Sequence, residues 1–232
     1  MIKDNLIYIN KSIKDTCIRA GRTGDAVSLI AVSKTKPVSA IQEAYNCGIR
    51  DFGENKVQEI MDKYPVLPKD IKWHLIGHLQ RNKVKYIIDK VYLIHSVDSV
   101  RLAEQIQKEA IKADVHMDIL IQVNISREDT KFGLNETDVI NIIEEVSKFD
   151  RVHIKGLMTI GPMTEDEDDI REVFKKLKQL SVDIQTKNID NVSMTVLSMG
   201  MSGDYTIAIE EGSTYVRVGT SIFGERDYSK II

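Results

Sequence analysis

A chain of 232 residues, 42% hydrophobic and 29% charged, is long enough to bury a core without disulfides or a structural metal. Its formal net charge of −3 lacks the basic excess of a general nucleic-acid binder. No apolar run approaches the roughly 18 residues of a membrane span, and Cys17 and Cys47 have no CxxC or Cys/His cluster beside them, which points to a cytoplasmic protein with reduced thiols and no zinc.

In chain order, residues 2–20 read as a helix with Leu6, Ile9, Ile13 and Cys17 on one face. A buried-strand run, SLIAVS (28–33), follows, and then an amphipathic stretch from Val38 to Cys47 that stops at Gly48. The same unit recurs as DFGEN (51–55) with a helix over 56–63, and as KWHLIG (72–77) with a helix over 80–89. VYLIHSV (91–97) leads into 99–112, and MDILIQVNI (117–125) leads into 136–148. VHIKGLMTI (152–160) precedes a helix over 166–181, whose acidic start, Glu165 to Asp169, suits a helix N-terminus. TVLSMG (195–200) precedes a short helix near 202–209, and TYVRVGT (214–220) is the last strand.

Strand followed by helix, repeated, implies parallel strands covered by helices, and eight strands is the number that closes a barrel. An open doubly wound sheet is the rival, but its GxGxxG fingerprint after the first strand is absent. Residues 1–232 are therefore expected to form one α/β domain, a (β/α)8 (TIM) barrel with an extra N-terminal helix.

In such a barrel the chemistry sits at the C-terminal ends of the strands. Polar residues collect there: Lys34, Glu54 and Asn55, His74 and His78, Ser96 and Asp98, Asn124, Thr159, Ser198 and Arg217. Convergence from all eight strands predicts one polar ligand pocket at the mouth. Lys34 follows the apolar run LIAVS, so its stem starts inside the barrel. A desolvated lysine loses its charge more readily and supplies the neutral amine that attacks an aldehyde to give a Schiff base. By pattern alone, a lysine snorkelling from a strand end is the commoner alternative. Lys36, beside Pro37, competes for the covalent role, and Lys34 is preferred.

On the eighth strand, alternation puts Arg217 and Gly219 on one side, Val216 and Val218 on the other. If the valines pack outward, Arg217 points into the barrel. Loops after strands seven and eight often form phosphate sites in this fold, here Ser198 to Ser202 and Gly219-Thr220. Glycine used only for a turn explains either loop, taken singly, as well. His74, His78 and His95 match no zinc spacing, so no metal is expected, and Lys131 is assigned no role.

Seven ordered blocks give the chain a resemblance that these residues alone do not. AVSKTKP (31–37), FGENKVQE (52–59), WHLIGHLQRNK (73–83), VNIS (123–126), GLMTIGP (156–162), LSMGMSGDY (197–205) and GSTYVRVGTSIFGER (212–226) resemble the pyridoxal phosphate homeostasis proteins, relatives of the alanine racemase barrel. The resemblance implies pyridoxal 5′-phosphate (PLP) held as a Schiff base on Lys34, phosphate contacts from Ser198, Gly219 and Thr220, and Arg217 facing the pyridine nitrogen. Asn55 falls in a block near the cofactor. A guanidinium there disfavours protonation of the ring and weakens it as an electron sink.

The resemblance further implies a binding protein that limits free PLP and passes it to PLP-dependent apo-enzymes, not an enzyme. Alanine racemases carry a second domain that supplies an acid/base tyrosine, and this chain is expected to have no room for one. Racemisation needs proton-transfer groups on both faces of the carbanion. A barrel-only PLP racemase or lyase is the alternative, and a barrel binding a phosphorylated metabolite without covalent linkage is the third reading. A monomer is expected, with no nucleic-acid or membrane partner.

Overall fold

In the computed structural model, which describes residues 1–126, 128 and 132–225, eight parallel strands close into a barrel in sequence order. The strands are β1 Ser28–Val32, β2 Asp51–Glu54, β3 Lys72–Leu75, β4 Val91–Val97, β5 Met117–Gln122, β6 Val152–Met158, β7 Val192–Ser198 and β8 Tyr215–Val218. The helices are α1 Ile2–Arg19, α2 Val38–Asn46, α3 Val57–Lys63, α4 Val100–Ala113, α5 Val139–Val146, α6 Glu167–Thr186, α7 Tyr205–Glu210 and α8 Thr220–Phe223. Closure is made by β8 pairing with β1, where Arg217 lies opposite Ile30 and Val218 opposite Ala31. The expected barrel is the observed one; Lys131 and the residues from 226 onward lie outside the described part.

Alternation along the strands builds two layers. Phe52, Trp73, Leu75, Val216 and Val218 are buried in the large outer core between strands and helices. Leu93, Leu120 and Met158 form a small inner cluster with Tyr215 packed against it. A Cβ on Gly53 would sit 2.9 Å from Ile30 Cγ2, so glycine is what fits the narrow interior there. At Gly156, φ is +157° and a Cβ would lie 1.8 Å from the carbonyl oxygen of Val196. That glycine lets β6 and β7 approach where their register shifts between Ile154 and Gly156.

The N-terminal helix has a structural task. Since α8 is only four residues long, α1 fills the outer ring beside it, packing on α2, α7 and α8. Leu6, Ile9, Ile13 and Cys17 are its buried stripe. Asn5 Nδ2 donates to the carbonyl of Ile222 at 2.9 Å, and Tyr205 donates to Ser12 Oγ at 2.9 Å.

Two expected helices differ. The stretch expected as a helix over 80–89 is a 3₁₀ turn at Arg81–Tyr86, with Val84 and Ile87 both fully buried. Spacing of three suits the tighter turn, in which side chains at i and i+3 eclipse. The helix expected over 136–148 begins as a 3₁₀ turn at Glu136–Asp138 before α5. Among the described residues, no helix is long and apolar enough to cross a membrane, and no group of three or more His, Cys, Asp or Glu is placed to hold a metal ion.

Candidate cofactor site at the barrel mouth

A cavity of about 340 Å³ opens at the C-terminal ends of β1, β2, β7 and β8. That is at the small end of the range for ligand pockets, roughly 300–1,000 Å³. Lys34, Asn55, Arg217, Gly219 and Thr220 line it, so five of the six expected site residues meet there. Ser198 does not line it. As the last residue of β7 it is fully buried, with its Oγ accepting from Arg217 Nη1 at 2.6 Å and lying 2.9 Å from His95 Nδ1. The hydroxyl that reaches the cavity from this loop is Ser202, next to Gly203.

Lys34 sits where β1 breaks into a tight turn. Thr35 has φ of +64°, the left-handed region that a β-branched residue occupies at a cost. Its N–H donates to Glu59 Oε2 at 2.6 Å, and Lys36 N–H donates to the Ser33 carbonyl at 3.0 Å. Behind the turn, the buried Lys63 ammonium of α3 donates to Glu54 Oε1 at 2.8 Å, to Glu59 Oε2 at 2.8 Å and to the Ser33 carbonyl at 3.0 Å. Ser33 Oγ donates to Glu54 Oε1 at 2.6 Å.

Two carboxylates thus share one ammonium in a water-poor place. Burial pushes the Glu54 carboxyl up to about 7 against the pull of Lys63 and Ser33. Burial acts upward on Glu59 as well, but hydrogen bonds from Lys63 and the Thr35 N–H bring it below the ordinary carboxylate value. Glu54 was expected at the mouth. Because Gly53 faces inward, Glu54 turns out toward α3, and it anchors the lysine turn from behind.

Lys36 is fully engaged elsewhere. Its ammonium donates to the carbonyls of Phe223, Gly224 and Glu225 at 3.1, 3.0 and 2.9 Å, which ties β1's end to the end of α8. Three donors on three acceptors exhaust the ammonium's hydrogen-bonding capacity.

At the other end of the cavity, the Gly219 N–H donates to Ser202 Oγ at 3.2 Å. Amides in the first turn of a helix have no acceptor within it, so those of Thr220 and Ser221 at the start of α8 are available to an anion. A Cβ on Gly219 would meet the Val32 carbonyl oxygen at 3.2 Å and Val32 Cβ at 3.3 Å, so glycine brings this loop against β1. The cavity lining among the described residues includes Lys34, Lys36 and Arg217 and no carboxylate, a set suited to an anionic ligand. Arg217 is 4% exposed; Nη2 donates to the Thr159 carbonyl at 2.8 Å, and burial pushes its guanidinium down to about 10, still a cation at neutral pH.

The remaining expected mouth residues form the rim or support it. His78 Nδ1 lies 3.5 Å from Asp98 Oδ2 and the ring stacks on Phe132 with centroids 4.2 Å apart. Ser96 Oγ donates to the Gly77 carbonyl at 2.7 Å, and Thr159 Oγ1 donates to the Val123 carbonyl at 2.7 Å. Lys63, Glu59 and Ser202 were not singled out in the sequence. Only Ser202, inside the loop expected to bind phosphate, had a signal.

Residues 14–227 match the family described as alanine racemase, N-terminal domain. A pyridoxal phosphate homeostasis protein from Aquifex aeolicus is 45% identical over 226 residues, which cover 97% of this chain and 98% of that one. Another of the same name from Vibrio alginolyticus is 40% identical over 235 residues, 98% of this chain and 99% of its own. The structure of PipY from Synechococcus elongatus with PLP bound superposes with a TM-score of 0.84 at 35% identity, covering 97% of this chain and all 100% of PipY.

Proposed function

The chain belongs to the alanine racemase N-terminal domain family, among the pyridoxal phosphate homeostasis proteins, and from that premise we propose that it holds PLP as a Schiff base on Lys34 and serves PLP homeostasis, not catalysis. The observation that carries this reading is where the two lysines of this cavity sit. Lys36 spends its ammonium on three carbonyls, while Lys34 stands on a strained turn anchored by the Lys63 cluster. Condensation of the Lys34 amine with the aldehyde forms one C=N bond and releases one water.

The residues present fit the rest of the group. Ser202 Oγ and the amides of Thr220 and Ser221 receive the phosphate dianion, with Gly219 giving it room, and Asn55 borders the cavity on the β2 side. Ser198, expected as a phosphate contact, is assigned instead to holding Arg217 from below. Arg217 faces the pyridine nitrogen and, as a fixed cation, opposes its protonation. When bound, PLP supplies an electrophilic aldehyde and a conjugated ring that takes up electrons.

Among the described lining residues, Lys34 is the side chain we read as the proton-transfer group, since Lys36 is tied to three carbonyls and Arg217 stays charged. A single such group serves one face of a bound amino acid, which favours storage over racemisation. Exchange of Lys34 for an incoming amine is the release route, with PLP-dependent apo-enzymes as recipients. Borohydride reduction of the PLP-loaded protein followed by peptide mapping is expected to place the stable adduct on Lys34. An adduct on Lys36, or none, refutes the assignment, and D/L interconversion of alanine or serine well above the rate with free PLP refutes the non-catalytic role.

A further inference from the structure

The barrel interior carries a polar chain that a cofactor at the mouth does not by itself require. It begins at Asp51, at the N-terminal end of β2, whose Oδ1 lies 2.9 Å from His74 Nε2. His74 Nδ1 lies 2.9 Å from His95 Nε2, and His95 Nδ1 lies 2.9 Å from Ser198 Oγ. Arg217 Nη1 completes it at 2.6 Å from the same Oγ. His74, His95 and Ser198 are fully buried, and the rings of Tyr92 and Tyr215 meet His74 edge-on.

One placement of hydrogens satisfies every link. A guanidinium has no lone pair to offer, so Ser198 Oγ accepts from Arg217 and keeps its single hydrogen available for His95 Nδ1. A neutral ring with an accepting Nδ1 carries its hydrogen on Nε2, so His95 donates to His74 Nδ1. By the same rule His74 donates from Nε2 to Asp51. The Asp51 end fixes this direction for neutral rings, because an ionised carboxylate only accepts. Burial pushes both rings toward the neutral form: it outweighs Asp51's upward pull at His74, and at His95 the electrostatic influence of His74 and of the Arg217 guanidinium works in the same direction.

We propose that Asp51, His74, His95 and Ser198 are positioning residues, a one-way hydrogen-bond chain through the barrel that fixes the Arg217 guanidinium as a donor at the cavity floor. The chain places a buried cation and a carboxylate at opposite ends of two neutral imidazoles. Arg217 is thereby oriented through an uncharged hydroxyl. The consequence for the ligand rests on the PLP reading: Arg217, so held, keeps the cofactor's ring nitrogen unprotonated.

The chain is tested without cofactor by long-range proton–nitrogen correlation of the histidine rings in the full chain, assigned by single replacement of His78, His116 and His153. Both His74 and His95 are expected as neutral rings with the hydrogen on Nε2, unchanged between about pH 5.5 and pH 8, the range in which an ordinary histidine titrates. A hydrogen on Nδ1 of either ring, or titration in that range, overturns the proposal whether or not PLP binds. With nitrogen-15-labelled PLP bound, Ser198→Ala and His95→Leu are expected to raise the pH at which the ring nitrogen takes a proton by about one unit, a tenfold change in proton affinity. Ser198→Thr, which keeps the hydroxyl, is expected to restore the wild-type value. Variants that lose melting temperature while that pH stays put show a merely structural chain and overturn the proposal. If PLP fails to load the wild type, the PLP reading fails and the ring-nitrogen pattern still decides the chain.

Discussion

Replacing Lys63 with methionine removes the one ammonium between Glu54 and Glu59 and leaves Glu54, which is 0% exposed, without its counter-charge. Removing one partner of a buried pair typically costs about 3–5 kcal/mol. The sign with pH follows from Glu54, whose folded-state value is raised from 4.5 to about 7. A carboxyl raised by folding contributes stability at low pH that is lost as the pH climbs through its folded value. Lys63 is what restrains that rise, so in Lys63→Met the folded value moves above 7. Below pH 7 both native states carry the proton and the stability gap between wild type and variant stays constant. Above pH 7 only the variant does, and the gap widens by up to about 1.4 kcal/mol per pH unit. Urea unfolding at pH 6, 7 and 8.5 reads this through the fluorescence of Trp73, the single tryptophan of the chain and 1% exposed. Adding Glu54→Gln to Lys63→Met is expected to flatten the pH dependence. A gap below about 1 kcal/mol that does not change with pH refutes the buried-pair account, since that is the size of an exposed ion pair.

Lys36→Ala deletes three hydrogen bonds to the end of α8 and is expected to cost about 1–3 kcal/mol in chemical denaturation. It leaves the Schiff-base absorbance in place. Ser202→Ala is expected to weaken PLP binding at least tenfold in equilibrium titration, the equivalent of about 1.4 kcal/mol, with melting temperature of the unloaded protein within a few degrees of wild type. Gly156→Ala drives a Cβ into the Val196 carbonyl at a left-handed φ, and its expected cost exceeds about 4 kcal/mol, read as loss of soluble protein or of cooperative melting.

The barrel was legible because period-2 strands and period-3.6 helices alternate without a break, and the valines flanking Arg217 assign its side chain to the interior. The place of Lys34 at the barrel mouth was legible because it ends an apolar strand run. By pattern alone a snorkelling lysine is the commoner reading, and only the block resemblance turns it toward a covalent role. What the sequence hid lies at longer range. Lys63 looks like any last-turn lysine until α3 is laid over Glu54, 9 residues earlier in the chain. Ser198 heads the loop in which a phosphate contact is expected, but as the last residue of β7 it still points into the barrel. The loop must travel to Ser202 before a hydroxyl meets the cavity. His95 breaks an apolar strand, VYLIHSV, and local pattern offers it no role beyond an unmatched metal spacing. Its partners His74 and Ser198 stand 21 and 103 residues away, a distance that no local pattern spans.

Titration of the cofactor-free protein with PLP, followed by absorbance, tests the central assignment most directly when wild type and Lys34→Ala are compared. Wild type is expected to develop a visible band shifted from that of free PLP, fixed by borohydride, and Lys34→Ala to show only the spectrum of free or reversibly bound PLP. A band of wild-type position and intensity in Lys34→Ala, or none in wild type at saturating PLP, contradicts the account.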